Sequence, residues 1–186
     1  IDSALANGVN CLDTAAGYGD SEKVIGRYFY SGTKKRSDIN IVTKFKLGQI
    51  NASDVESVMM KSVEQSLKNL NTDYLDILLM HDAKEFSAFH ETITKIFERL
   101  ISDQTIKKAG ASCYEFCDIE PMLENDMYEA FQIPVNILDL RITKGEGADR
   151  LINKLVFARS VFLQGLFFMD PSHLKGNLRE AGKYII

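Results

Sequence analysis

The chain has 186 residues, 45% of them hydrophobic and 26% charged, and its 22 Lys+Arg against 26 Asp+Glu give a formal net charge of −4. These proportions exclude an intrinsically disordered chain, and 12 glycines with 3 prolines exclude collagen-like and proline-rich ones. The mild acidity supplies no basic cluster for nucleic-acid phosphates, and no apolar run approaches the ~20 residues that cross a bilayer, so neither nucleic acid nor membrane is expected as a partner.

In chain order, residues 1–8 lack the basic start and apolar core of a signal peptide. Apolar, β-branched runs predict strands at 9–15, 39–45, 74–81, 106–112, 130–137 and 155–162. The runs are continuous rather than alternating, as in parallel strands buried on both faces. Between them lie helical patterns. Ser21-Glu22-Lys23 opens one with a cap-like serine. Val55, Val58, Met59, Val63 and Leu67 share a helical face in the next, and Phe89, Ile93, Ile96, Phe97 and Leu100 share one within 86–100. Shorter helices are predicted at 116–124 and 148–154. The segment 139–147, with Arg141, Lys144 and two glycines, reads as a connector beside the strand ends or a flexible loop over them.

Six strand–helix units in succession predict an α/β fold, either an open doubly wound sheet or a barrel. No Gly-x-Gly-x-x-Gly follows the first strand, so the dinucleotide fingerprint of the doubly wound fold is absent. Three cysteines, Cys11, Cys113 and Cys117, are too few for a disulfide scaffold. The Cys113-x-x-x-Cys117 spacing has no second pair to complete a metal site. Reduced thiols in a cytoplasmic protein without a metal are the expectation.

Active sites of parallel α/β folds lie at the C-terminal ends of the strands. The predicted strands end in Asp13-Thr14-Ala15 followed by Tyr18, in Thr43-Lys44, in Met80-His81-Asp82 and in Ala111-Ser112. Taken singly, Asp13 reads equally well as a helix cap, Lys44 as a snorkelling lysine, His81 as a core histidine and Tyr18 as a loop aromatic. Their joint placement on neighbouring strand tops is what points to chemistry.

Ala6-Asn7-Gly8-Val9-Asn10-x-x-Asp13-Thr14-Ala15-x-x-Tyr18-Gly19-x-Ser21-Glu22-x-x-Ile25-Gly26 resembles the N-terminal signature of the aldo-keto reductases. The resemblance continues through Thr43-Lys44, Asp73-Tyr74-x-Asp76, Met80-His81-Asp82, Gly110-Ala111-Ser112, Gln132-x-x-x-Asn136 and Arg159-Ser160-Val161-Phe162-Leu163-Gln164-Gly165. It implies a single domain over 1–186 with the (β/α)8 TIM barrel fold, of which about six βα units are present. The first strand and the last unit or units of the barrel would be missing.

The resemblance further implies reduction of a small-molecule aldehyde or ketone with NADPH, or with NADH. Tyr18, Lys44, Asp13 and His81 would be the catalytic residues. Asp13, Ser112, Gln132, Arg159, Ser160 and Gly165 would contact the cofactor. Two positions depart from the family pattern: Cys113 stands where many members have Asn, and Arg159 where many have an aromatic that stacks on the nicotinamide. A non-catalytic relative, a regulatory or scaffolding protein that binds the cofactor without turnover, is the alternative. An unrelated barrel enzyme for a phosphorylated sugar would need a phosphate loop that the sequence does not show.

Overall fold

The structure, a computed structural model, describes residues 1–32, 35–144 and 146–180. A short helix, α1 (Asp2–Ala6), turns at Gly8, φ 90°, into β1 (Cys11–Asp13). There follow α2 (Ser21–Tyr30), β2 (Asn40–Phe45), α3 (Val55–Leu70), β3 (Leu75–Met80), α4 (Lys84–Ser102), β4 (Ile106–Ser112), β5 (Tyr128–Pro134), α5 (Glu146–Arg150) and β6 (Leu155–Arg159). The six strands form one sheet in the order β1-β2-β3-β4-β5-β6, and every neighbouring pair is parallel. Strand order that advances without reversal is that of a (β/α) barrel; a doubly wound sheet reverses direction at its switch point. The chain is therefore a partial TIM barrel.

The curl of the sheet divides the core in two. On the inner face Val42, Ile77, Leu79 and Ala130 cluster, and Cys11 from β1 and Phe157 from β6 both pack against them. On the outer face a larger cluster joins the strands to the helices. α3 buries Val55, Met59, Val63, Ser66 and Leu70, and α4 buries Phe86, Ile93, Ile96, Phe97 and Leu100, each set at i, i+3, i+4 spacing. α3 stops at Asn71, which takes the left-handed conformation at φ 51°. Gly110 is fixed by a close approach: a Cβ there would sit 1.6 Å from Ala130 O.

Several predicted boundaries move. The first strand starts later than residue 9 because the turn out of α1 takes in Val9, whose N–H closes on Ala4 O (3.1 Å). The fifth ends at Pro134 rather than 137, because the Asn136 side chain accepts the Leu138 N–H (2.9 Å) and turns the chain. The sixth ends at Arg159 rather than 162, because Ser160, Leu163 and Gln164 all have positive φ. The helix predicted at 116–124 is two 3₁₀ turns, Phe116–Asp118 and Glu120–Glu124, the second carrying Pro121 at its start. β6 is not buried on both faces; Leu155 is 41% and Val156 38% exposed. The predicted 139–147 connector holds a 3₁₀ turn, Arg141–Thr143, and Arg141 pairs there with Asp139 and Glu115; Gly145 and residues 181–186 lie outside the described residues.

At the N-terminal end of the strands, Asp76 is 4% exposed and accepts from Arg36 Nη2 (2.6 Å), Lys107 Nζ (2.7 Å) and Ile41 N (3.0 Å). Arg36 and Lys107 also lie over the Tyr74 ring, at 4.6 and 4.3 Å from its centroid. Burial pushes the Asp76 carboxyl up, but these hydrogen bonds outweigh it and hold the group below its ordinary value. A depressed carboxyl stabilises the fold above the unfolded value of ~3.9 and loses that contribution as pH falls through the folded one. Asp76→Asn is expected to lower stability by roughly 3 kcal/mol at pH 7, with the gap from the parent narrowing below about pH 4. Urea midpoints across pH 7 to 2.5 check this; a gap that stays constant would remove the ionic contribution from Asp76.

Candidate active site

β1 ends at Asp13, but its pairing with β2 runs on: Thr14 N donates to Val42 O (2.8 Å) and Ala16 N to Lys44 O (3.0 Å). The chain is thereby held against β2 until it turns at Tyr18, whose N–H closes on Ala15 O (3.0 Å). The Thr14 and Ser21 hydroxyls share a hydrogen bond of 2.5 Å that ties this turn to the start of α2. Glu22, 1% exposed, accepts from Thr43 Oγ1 (2.7 Å) and Asn69 Nδ2 (3.0 Å), locking α2 to β2 and to the end of α3.

Lys44 points into the sheet with its side chain fully buried. Its ammonium donates to Asp13 Oδ1 (2.6 Å) and Thr14 O (2.8 Å). Burial pushes the ammonium below its ordinary value, and the hydrogen bond and charge of Asp13 oppose that without cancelling it. Nζ lies 5.2 Å from the centroid of the Tyr18 ring. His81 follows β3 directly; its N–H donates to Phe45 O (2.8 Å), and its ring meets Tyr18 edge-on, centroids 5.5 Å apart at 80°. Burial lowers His81, and the charges of Lys44 and Lys46 lower it further. The imidazole is therefore neutral at pH 7, with one N–H to donate and one nitrogen to accept.

The structure thus brings Asp13, Tyr18, Lys44 and His81 together at the C-terminal ends of β1, β2 and β3. A lysine beside the phenol is expected to lower its pKa, but burial and the Asp13 carboxylate push Tyr18 up, and the cation opposing them is Arg159. With Lys44 bound to Asp13 and Thr14 O, its charge is largely answered before it reaches the phenol. Tyr18 remains 48% exposed and keeps its proton at neutral pH.

The next strand ends carry the second group. Ser112 and Gln132 are direct partners in the β4–β5 register. Both are buried, at 5% and 4% exposure, and neither side chain hydrogen-bonds another described residue. A hydroxyl and an amide left with free capacity at a strand end fit a polar planar group such as a carboxamide. Between them Cys113 N donates to Gln132 O (3.0 Å), and burial pushes the Cys113 thiol up to about 12. Arg159 reaches Cys113 O through Nη2 (3.0 Å) and Ser160 Oγ through Nη1 (3.4 Å), and lies 4.1 Å from the centroid of Tyr114. Its Nε is buried without a partner among the described residues. Ser160 takes φ 57° just past β6. Gly165 closes a turn on Phe162 O (2.8 Å).

Sequence reasoning missed Tyr114, Thr14 and Glu85. Tyr114 is an aromatic two residues after Ser112, a position that could have marked it. Glu85 accepts both Leu47 N and Gly48 N (2.9 Å each), holding the loop after β2 from α4; no sequence pattern signals that pairing. Among the described residues no helix is long and apolar enough to cross a membrane.

Residues 1–153 match the model of the Aldo/keto reductase family. Methylglyoxal reductase YeaE of Escherichia coli is 34% identical over 117 residues, which are 62% of this chain and 38% of that protein. The holo form of aldo-keto reductase AKR11C1 from Bacillus halodurans is 27% identical and superimposes with a TM-score of 0.75 over 89% of this chain and 57% of its own. An aldo-keto reductase from Klebsiella pneumoniae solved in complex with NADPH shares the fold, with a TM-score of 0.72 over 97% of this chain and 62% of its own at 19% identity. The chain spans about two fifths of the length of the curated relatives it matches.

The buried pair of Lys44 and Asp13 makes a stability prediction of its own. Removing the acid leaves an ammonium out of water, which costs about 3–5 kcal/mol in fully buried pairs and less here because Asp13 is half exposed. Asp13→Ala is expected to lose about 2 kcal/mol, and Asp13→Ala/Lys44→Met to recover part of it, as read by denaturant unfolding. Additive losses in the double variant would show that the two side chains are not coupled.

Proposed function

The chain belongs to the aldo/keto reductase family, and from there we propose that its protein reduces an aldehyde or ketone to an alcohol with NADPH. The observation that carries this reading is the convergence of Tyr18, Lys44, Asp13 and His81 at the C-terminal ends of β1, β2 and β3, with the phenol ring 5.2 Å from the Lys44 ammonium and edge-on to the His81 imidazole. Relatives described as a reductase of methylglyoxal and as an NADPH complex support the same reaction class.

A reduced nicotinamide, when bound, supplies the hydride for the carbonyl carbon. The rest falls to this chain. Ser112 and Gln132 hold the carboxamide through the hydrogen-bonding capacity they leave unused. Neutral His81 donates to the carbonyl oxygen and orients it. Tyr18 gives its proton to that oxygen as negative charge develops. Lys44, held by Asp13 and Thr14 O, fixes the stretch of chain that delivers Tyr18, and the charge that favours the phenolate left behind is that of Arg159. The partly exposed Asp13 carboxylate borders the same space. Ser160, just beyond β6, offers a hydroxyl and backbone N–H toward the cofactor's phosphates, with Gly165 further along the same segment.

Tyr18→Phe is expected to lower kcat/KM for a small aldehyde by about 10²–10⁴-fold, the usual contribution of a positioned proton donor. NADPH affinity, read by quenching or transfer of nicotinamide fluorescence, should stay within about threefold, since the substitution leaves Ser112 and Gln132 intact. Undiminished turnover in Tyr18→Phe would take the proton donor away from this residue. NADPH binding by the parent protein without turnover of any carbonyl would replace the reductase reading with a non-catalytic one.

A further inference from the structure

Arg159 ends β6 with its guanidinium turned across the strand tops toward β4. Nη2 donates to Cys113 O (3.0 Å), Nη1 reaches Ser160 Oγ (3.4 Å), the guanidinium lies over Tyr114, and Nε is buried with no acceptor among the described residues. None of these partners is an anion, so its own hydrogen bonds leave the charge uncompensated. That charge acts on Tyr18, Lys44 and Cys113 together. Through Cys113 O and the β5 register Arg159 is held at the Ser112–Gln132 end of the space between that pair and the phenol. A nicotinamide with its carboxamide on Ser112 and Gln132 and its C4 facing a carbonyl at Tyr18 spans that same gap, which puts its ring in the field of the guanidinium.

We propose that Arg159 makes this site distinguish the cofactor by redox state, holding the reduced nicotinamide more tightly than the oxidised one. The inference rests on the cofactor reading given under Proposed function. The two forms differ by one hydride: when C4 gives up a hydrogen with two electrons to the carbonyl carbon, the ring changes from neutral to singly positive, and the phosphates and ribose are unaltered. A fixed guanidinium repels the pyridinium and is attracted to the electron-rich face of the dihydropyridine. In a partly buried site at a few ångströms, that difference is worth about tenfold or more in affinity. An aromatic side chain at this position would favour the opposite form, since a π face attracts the pyridinium. The site is thus set for reduction: it loads NADPH in the presence of NADP⁺ and sheds the oxidised product.

The test is calorimetric or fluorescence titration of the intact protein with NADPH and with NADP⁺, for the parent, Arg159→Met and Arg159→Lys. The parent is expected to prefer NADPH by about tenfold or more. In Arg159→Met the ratio should fall to within about threefold of unity, mainly through tighter NADP⁺, because the apolar stem is kept and the charge is lost. Arg159→Lys should keep most of the preference, because it keeps the charge. Equal affinities in the parent, or an unchanged ratio in Arg159→Met, would overturn the proposal and leave the cofactor reading standing. Equal weakening of both forms in Arg159→Met would also overturn it, by assigning the guanidinium to a phosphate. Failure of the parent to bind either form would remove the cofactor reading and this inference together.

Discussion

A lysine ammonium taken wholly out of water is the constraint around which the rest of the site is arranged. Desolvating such an ion costs several kcal/mol even after relaxation, so Lys44 stays charged only where partners are already waiting. Two are supplied, Asp13 Oδ1 and Thr14 O, and both come from one stretch of chain. That stretch is positioned by backbone bonds from Thr14 N to Val42 O and from Ala16 N to Lys44 O. The strand that carries the lysine thus also fixes the acid that neutralises it. The turn at Tyr18 follows directly, which delivers the phenol to the same point.

Shifts in ionisation across the cluster follow from this arrangement. Lys44 and His81 are both lowered, and burial leads in each case. Tyr18 is raised by burial and by the Asp13 carboxylate. A neutral imidazole beside a protonated phenol is the combination that can offer two hydrogen-bond donors to one oxygen. The paired ammonium holds the chain that carries the phenol, and the cation whose charge favours proton loss from Tyr18 is Arg159. Arg159 adds a second fixed positive charge from the β6 side, without an acid of its own among its hydrogen-bond partners.

Much of this was legible in the sequence, for physical reasons that differ by element. Parallel strands buried between helices and an inner core are apolar over most of their length, so β2 and β3 announced themselves most plainly. The ends of β5 and β6 did not, because Asn136 and Ser160 turn the chain through side-chain capping and left-handed backbone, which few sequence patterns mark for non-glycine residues. The segment 116–124 carries helical-looking apolar spacing, yet its length and Pro121 restrict it to 3₁₀ turns. Asp13, Lys44 and His81 were visible because each breaks an apolar run at a strand top. The direction of the Tyr18 shift was not, since it depends on which charges are already paired. Tyr114 gains its role only from Arg159, which is distant in sequence.

β2 shows how narrow the solution is. Its side chains alternate between the two faces of the sheet: Val42 and Lys44 point inward, one to the inner cluster and one to the site, while Ile41 and Phe45 join the outer cluster. Thr43 also faces outward, where its hydroxyl meets buried Glu22. A slip of one residue would turn Lys44 toward the helices, take from Glu22 one of its two donors and bury the threonine hydroxyl among inner apolar groups. Each of these changes strands a buried polar or charged group without a partner, and such groups cost far more unpaired than they contribute when paired. Glu22 and Asp13 therefore act as two checks on one register, from opposite faces of the same strand. The chemistry of the inner face is held in place by a hydrogen bond on the outer one.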